Sequence, residues 1–301
     1  MAILLTLKKM ISVFLASILL FITPAATSEP YSPKNAEDIG LNFTVLSDCH
    51  IEGNNLETFK IFHKILKGAK TTTSTNDAVV FLGDNTMNGQ DIESMFFYGA
   101  IDQINPSENI FVVQGNHDVG NGEGDYEQLR DRFLGYNNSF FNANLTKAYY
   151  HRVVNGCYFI FLASESNTVN EAYISDEQIE WLKDVLAEAQ ESGNPIFVFN
   201  HHPIYAVQDD YLKLYYVLLG IDNLFYLSGH THREIEKDWT FGNYYGIRTI
   251  NLPRCTEPVS EDYDAGIGMQ IEVYDNEVVF RVRDYYDDLW VDGYEMTYEI
   301  R

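Results

Sequence analysis

Five short polar blocks hold most of the side chains in this chain that could do chemistry. They are Asp48-Cys49-His50, Gly83-Asp84-Asn85, Gly115-Asn116-His117-Asp118, Asn200-His201-His202-Pro203 and Gly229-His230-Thr231-His232. Together they carry six of the eight histidines. Carboxylate and imidazole donors in one set suit divalent metals of intermediate hardness such as Mn, Fe, Co, Ni or Zn. Asp48 and His50 are two residues apart, as are His230 and His232. In an extended segment that spacing puts both side chains on one face, within reach of one centre. Asp84 has two oxygens with which to bridge two ions, and paired ions clamp a phosphate ester and generate a nucleophile near neutral pH. Gly83, Gly115 and Gly229 let the backbone turn sharply beside them. A single histidine of this kind is more often a hydrogen-bonded core or loop residue. Five such blocks, each behind an apolar run, favour the metal.

Those runs are Leu41 to Ser47, Asp77 to Leu82, Asn109 to Gln114, Pro195 to Phe199 and Leu224 to Leu227. Apolar runs ended by glycine or polar residues read as buried strands, and open α/β folds bind ligands at strand carboxyl ends. Leu56, Phe59, Phe62 and Leu66 fall at helical spacing, with Gly68 expected to close that helix. His63 rides on it as a surface or packing residue. Further helices are expected around Asp91 to Ile104, from the capping pair Asp125 and Gln128 to Leu134, from Ser175 and Gln178 to Gly193, and around Tyr211 to Leu219. Residues 135–148 show no clear period and read as an excursion over the site. Asn155-Gly156 is a hairpin signal between Tyr149 to Val154 and Cys157 to Ala163, with His151 pointing outward. Beyond Trp239 the helical period vanishes, and Tyr244 to Leu252, Met269 to Tyr274 and Glu277 to Arg283 read as strands. The order suggests two mixed sheets packed together with helices outside.

The 301 residues are 46% hydrophobic, enough for one large core, expected as a single domain over 29–301. A net charge of -24 repels polyanions, so no nucleic-acid partner is expected. A small phosphorylated substrate is compatible if local cations create a positive pocket; the acidity reads equally as solubility or adaptation to salt. Residues 1–28 have the form of a secretory signal: Lys8 and Lys9, an apolar core from Ile11 to Ile22, Pro24, then small residues to Ser28. That core is shorter than the ~20 residues that cross a bilayer. The expectation is a secreted or extracytoplasmic protein with no membrane anchor after cleavage. Cys49, Cys157 and Cys255 allow at most one internal disulfide; Cys49 and Cys157 read as small buried hydrophobes. Asn42, Asn137 and Asn144 match the glycosylation pattern, the first inside a core strand.

In this order, Asp48-x-His50, Gly83-Asp84, Gly115-Asn116-His117-Asp118, His201 and Gly229-His230-x-His232 resemble the calcineurin-like metallophosphoesterase superfamily, from about residue 43 to 232. The resemblance implies an α/β fold, a four-layered α/β/β/α sandwich of two mixed β-sheets. It implies two transition-metal ions (Mn, Fe, Zn, Co or Ni), one held by Asp48, His50, Asp84 and His232, the other by Asp84, Asn116, His201 and His230. A hydroxide bridging the ions would attack phosphorus. His117 would orient the phosphate or protonate the leaving oxygen, Asp118 would orient His117, and His202 would line the pocket. Purple acid phosphatases carry a tyrosine three residues after the bridging aspartate; Met87 stands there, so a purple enzyme is not expected. Secreted 5'-nucleotidases add a large carboxyl-terminal domain, and only about 70 residues follow His232. What remains is a secreted phosphoesterase acting on small phosphate mono- or diesters. The alternative is an extracellular metal-containing protein that binds phosphate esters without turnover. Pocket walls are expected from 120–148 and from Tyr205 to Tyr211.

Overall fold

The computed structural model describes residues 32–35, 38–72, 76–208, 211–257 and 265–301. The secretory leader expected over 1–28 lies outside the described residues. Among the described residues, no helix is long and apolar enough to cross a membrane.

Two six-stranded sheets form the centre of the molecule. The first contains β1 (Ile39–Leu46), β2 (Ala78–Phe81), β3 (Ile110–Val112), β10 (Ile267–Tyr274), β11 (Glu277–Asp284) and β12 (Leu289–Glu299), in the order β12-β11-β10-β1-β2-β3. The second contains β4 (Tyr150–Val154), β5 (Cys157–Phe161), β6 (Ile196–Phe199), β7 (Leu224–Ser228), β8 (Phe241–Tyr244) and β9 (Ile247–Asn251), in the order β4-β5-β6-β7-β9-β8. β1, β2 and β3 run parallel, as do β5, β6, β7 and β9, while the remaining pairings are antiparallel.

Alternation along the parallel strands sorts side chains between layers. Phe43, Val45, Val80, Phe197, Phe199 and Phe225 point into the core between the sheets. There the Phe43 ring lies 4.7 Å from Phe159 and 5.0 Å from Phe197. Val79, Phe81 and Val112 face the other way, toward α1 (Leu56–Thr72), α2 (Asp91–Ile104) and α3 (Tyr126–Phe141). Val198, Leu224 and Tyr226 face α4 (Asp176–Ser192) and α5 (Tyr211–Leu218). Because both strand faces are covered, the runs are apolar throughout. The layers are helix, sheet, sheet, helix, as the resemblance implies.

Three local expectations are corrected. Gly68 does not close α1, which continues to Thr72. An added Cβ there would overlap the Tyr285 carbonyl oxygen, so the glycine serves close packing rather than termination. Residues 135–141 are not an excursion over the site but the second half of α3. Phe133, Tyr136 and Phe140 bury against α2, where Tyr136 stacks on Tyr98 at 5.2 Å and Asn137 Nδ2 donates to the Tyr98 hydroxyl at 2.8 Å. That burial also closes Asn137 to a glycan, while Asn42 is buried in β1 and Asn144 is exposed. The run Tyr244 to Leu252 divides into β8 and β9 at Tyr245-Gly246, both with positive φ, and β12 was unread because its faces are only partly buried.

Other signals hold. Asn155 and Gly156 take φ of 47° and 83°, the left-handed pair of a two-residue hairpin turn. Asp125 and Ser175 cap their helices by accepting from Gln128 N–H and Gln178 N–H. The Gln178 side chain bonds the Ala163 backbone instead of reaching back to the cap. His63 is buried in α1, and the half-buried His151 ring lies 6.5 Å from Tyr158 on the outer face of β4.

Candidate metal centre

All five polar blocks stand at the carboxyl ends of parallel strands, three on the first sheet and two on the second. Backbone bonds join them. Asp48 N–H donates to the Gly83 carbonyl at 3.1 Å, His50 N–H to Asp84 at 2.9 Å, and Gly229 N–H to His201 at 3.0 Å. The segments are not extended. Asp48, His50, Asp84, His230 and His232 have φ of 53°, 44°, 49°, 68° and 50°. Side chains two apart therefore converge through left-handed residues, not through strand alternation. Non-glycine residues in this region cost energy and cluster at functional sites.

The glycines admit this convergence. A Cβ on Gly115 would overlap Asp84, and one on Gly229 would overlap the Ser47 hydroxyl and the Asp48 carboxylate. On Gly83, already at φ 93°, it would lie 2.5 Å from His201 Nδ1.

Donor atoms of Asp48, His50, Asp84 and His232 lie within 4.8 Å of one another, as do those of Asp84, His201 and His230. The two groups share Asp84. Asn116 joins the second through Oδ1, 3.1 Å from His230 Nδ1. Its Nδ2 donates to Asn121 Oδ1 at 2.9 Å, which leaves the oxygen facing the centre. His201 Nδ1 meets the Leu82 carbonyl at 2.9 Å, so Nε2 is the atom turned toward Asp84, 3.1 Å from Oδ2. His232 Nε2 lies 3.0 Å from both Asp48 Oδ1 and His50 Nε2. The structure thus brings together all seven residues expected as ligands.

The local field favours positive charge. Burial raises the Asp48 carboxyl, but the charge of His201 and hydrogen bonds from His232 and His50 outweigh it and hold the group well below the carboxylate range. Asp84 is lowered in the same way, burial being opposed by His201 and His50. Burial alone would lower His201, yet Asp84 and Asp48 raise it to about 9. His230, half-buried and facing His201, falls to about 4, through desolvation first and the charge of His201 second. Converging lone pairs beside two carboxylates fit a pair of borderline metal ions, which would replace the proton that His201 otherwise retains.

His117 stands beside this cluster. Its backbone N–H donates to Asp84 Oδ1 at 2.9 Å, and its ring meets His50 edge-on at 4.7 Å. Its Nε2 is 3.9 Å from Asp84 Oδ2, and its side chain is partly open to solvent. Asp118 does not orient it, which corrects that expectation. His117 Nδ1 instead contacts the Met87 carbonyl at 2.5 Å. The Asp118 carboxylate accepts from the Gly115 and Thr86 N–H groups, the Thr86 hydroxyl and Asn85 Nδ2. It braces the Asp84 loop against the Asn116 loop. Burial and the charge of Asp84 raise its carboxyl. His202 is buried with its ring 4.3 Å from that of His230, and burial together with His201 depresses it well below the imidazole range.

Sequence reasoning missed Ser47, whose hydroxyl donates to Asp48 Oδ2 at 2.5 Å, and Arg254, whose Nη1 lies 3.5 Å from His232 Nδ1. Arg254 also pairs with Glu257 and follows β9, with no motif spacing to flag it. All three cysteines are buried and free, with Cys49 Sγ 3.5 Å from Cys255 Sγ.

No curated protein matches this chain by sequence. Among solved structures, a dimetal phosphatase from Danio rerio superposes with a TM-score of 0.62 at 15% identity, covering 88% of this chain and 100% of that one. A purple acid phosphatase from yellow lupin seeds gives 0.54 at 13% identity, covering 85% of this chain and 53% of its own. A sulfate thiohydrolase from Thermus thermophilus gives 0.51 at 12%, covering 87% and 59%. At such identities the likeness is one of fold. The sequence profile of the calcineurin-like phosphoesterases matches residues 41–234, a span that contains every one of the five blocks, and the chain belongs to that family.

Proposed function

We propose that this metallophosphoesterase is exported and hydrolyses small phosphate mono- or diesters at a two-metal centre. The observation that carries the reading is the pair of donor groups sharing Asp84, with His117 beside them. Asp48, His50, Asp84 and His232 would hold one ion, and Asp84, Asn116, His201 and His230 the other. Such ions, when bound, activate water near neutral pH and offset the charge of a phosphate ester.

The protein's own groups do the rest. The Leu82 carbonyl fixes the ring of His201, and Asn121 fixes the amide of Asn116, so both donors are held before any ligand arrives. The Met87 carbonyl accepts from Nδ1–H of His117 and fixes the ring, so that in its imidazolium form Nε2–H would be the group that gives a proton to the departing oxygen. The signal-like form of residues 1–28 supports export, and the net charge of -24 argues against polynucleotide substrates.

The test compares a nitrophenyl monoester with the bis-nitrophenyl diester, using protein stripped by chelation and reloaded with Mn, Zn, Ni or Co. Turnover restored by metal supports the reading, and the ratio of the two rates assigns the ester class. A folded, metal-loaded protein that turns over neither would be a phosphate-ester binding protein instead.

A further inference from the structure

The segment that follows β9 crosses from the second sheet to the first beside the metal centre. Leu252 N–H donates to the Ser228 carbonyl at 2.8 Å, and Cys255 N–H donates to the Ser47 carbonyl at 3.0 Å. The Thr256 hydroxyl donates to the Cys49 carbonyl at 2.8 Å. Arg254 is thus fixed between the strand end that leads to His230 and the one that leads to Asp48, with its side chain 19% exposed. It lies beyond residues 41–234, the span of the family profile, so the family match assigns it no role.

Its guanidinium has donors to spare. Nη2 pairs with Glu257, and among the described residues the buried Nε meets no acceptor. Nη1 lies 3.5 Å from His232 Nδ1. His232 Nε2 is the nitrogen turned toward Asp48 and His50. An imidazole that ligates through Nε2 carries its hydrogen on Nδ1. With His232 in its expected role, the 3.5 Å contact therefore joins two donors and is not a hydrogen bond. Two N–H groups so placed can both point at one oxygen about 2.9 Å from each. The His232 side chain is 32% exposed, so a ligand can bring that oxygen. A guanidinium edge suits a phosphate oxygen better than a neutral one.

We infer that Arg254, together with Nδ1–H of His232, holds an oxygen of the substrate's phosphoryl group. This rests on the phosphoesterase reading and adds a substrate-binding residue to it. Glu257, half exposed, competes with the phosphate for the cation.

Calorimetric titration of inorganic phosphate into the metal-loaded protein tests it, beside metal content and hydrolysis of the nitrophenyl monoester. Arg254→Ala should keep both ions and weaken phosphate binding about 10–100-fold, the range for a hydrogen bond to a charged group, with KM rising more than kcat falls. Arg254→Lys, which keeps the charge without the fork, should regain part of the loss. Glu257→Ala breaks the same ion pair and should bind phosphate at least as tightly as the wild type. If Arg254 only braces its loop, Arg254→Ala and Glu257→Ala weaken phosphate binding alike. That result, or wild-type affinity in Arg254→Ala, overturns the assignment and leaves the phosphoesterase reading standing. Folded, metal-loaded wild-type protein that neither hydrolyses the ester nor binds phosphate overturns that reading and the role of Arg254 with it.

Discussion

Oδ2 of Asp84 lies 3.1 Å from Nε2 of His201, across the gap between the two sheets' strand ends. The contact joins a carboxylate on the first sheet to an imidazole on the second, so one donor pair depends on the two sheets being packed together. His201→Ala should cut the bound metal from two ions to one and lower kcat at least about 100-fold, the upper end of what outer-shell partners alone cost. Elemental analysis beside steady-state kinetics checks both.

Gly229→Ala should be costly although alanine is small. The added methyl would overlap Ser47 and Asp48, so either the loop or the carboxylate must move. We expect a loss of about 1–3 kcal/mol in stability, typical of overpacking, together with weaker metal binding. Urea unfolding with and without metal measures the two effects.

His117 and Asp118 are neighbours with different tasks, and substitution should separate them. His117→Ala should lower kcat by roughly 10²–10⁴ with metal content unchanged, as for a lost general acid. Asp118→Ala should instead destabilise by about 1–3 kcal/mol, because it strips partners from Asn85, Thr86 and Gly115. Comparing kcat, metal content and unfolding midpoint for both variants decides it.

His63 gives a pH signature away from the centre. Burial, aided by Lys67, depresses its pKa from 6.5 to about 4. The folded state therefore refuses a proton that the unfolded state accepts. Its contribution to stability is complete above about pH 6.5 and declines as pH falls toward 4. His63→Leu should lose that decline, so the stability gap between variant and wild type should move in the variant's favour on acidification. Urea midpoints at pH 7.5 and 4.5 would show it; parallel acid slopes would exclude it.

The centre was legible because its donors sit in contiguous blocks, each announced by an apolar strand. Which strands pair, and how the two sheets face each other, determines the rest. The spacing of Asp48 and His50 predicts their convergence, but through an extended backbone that the structure does not have: positive φ at both residues has no signature in a two-residue spacing. Adjacency in the sequence points Asp118 at His117, whereas most of its partners come from the loop after β2, thirty or so residues earlier. Gly68 carried a helix-stop signal because the close approach of Tyr285 is visible only in three dimensions. In α3, Phe133, Tyr136 and Phe140 do repeat at helical spacing, but the intervening asparagines hid it. Arg254 reaches His232 only through the fold of β8 and β9.

The most direct test of the account is a metal titration of chelated protein followed by both binding and hydrolysis. Two equivalents should bind, activity should return only as the second site fills, and Asp84→Ala should abolish both, since that carboxylate belongs to both donor groups. Full hydrolytic activity in metal-free protein, or two ions and full turnover in Asp84→Ala, would contradict it.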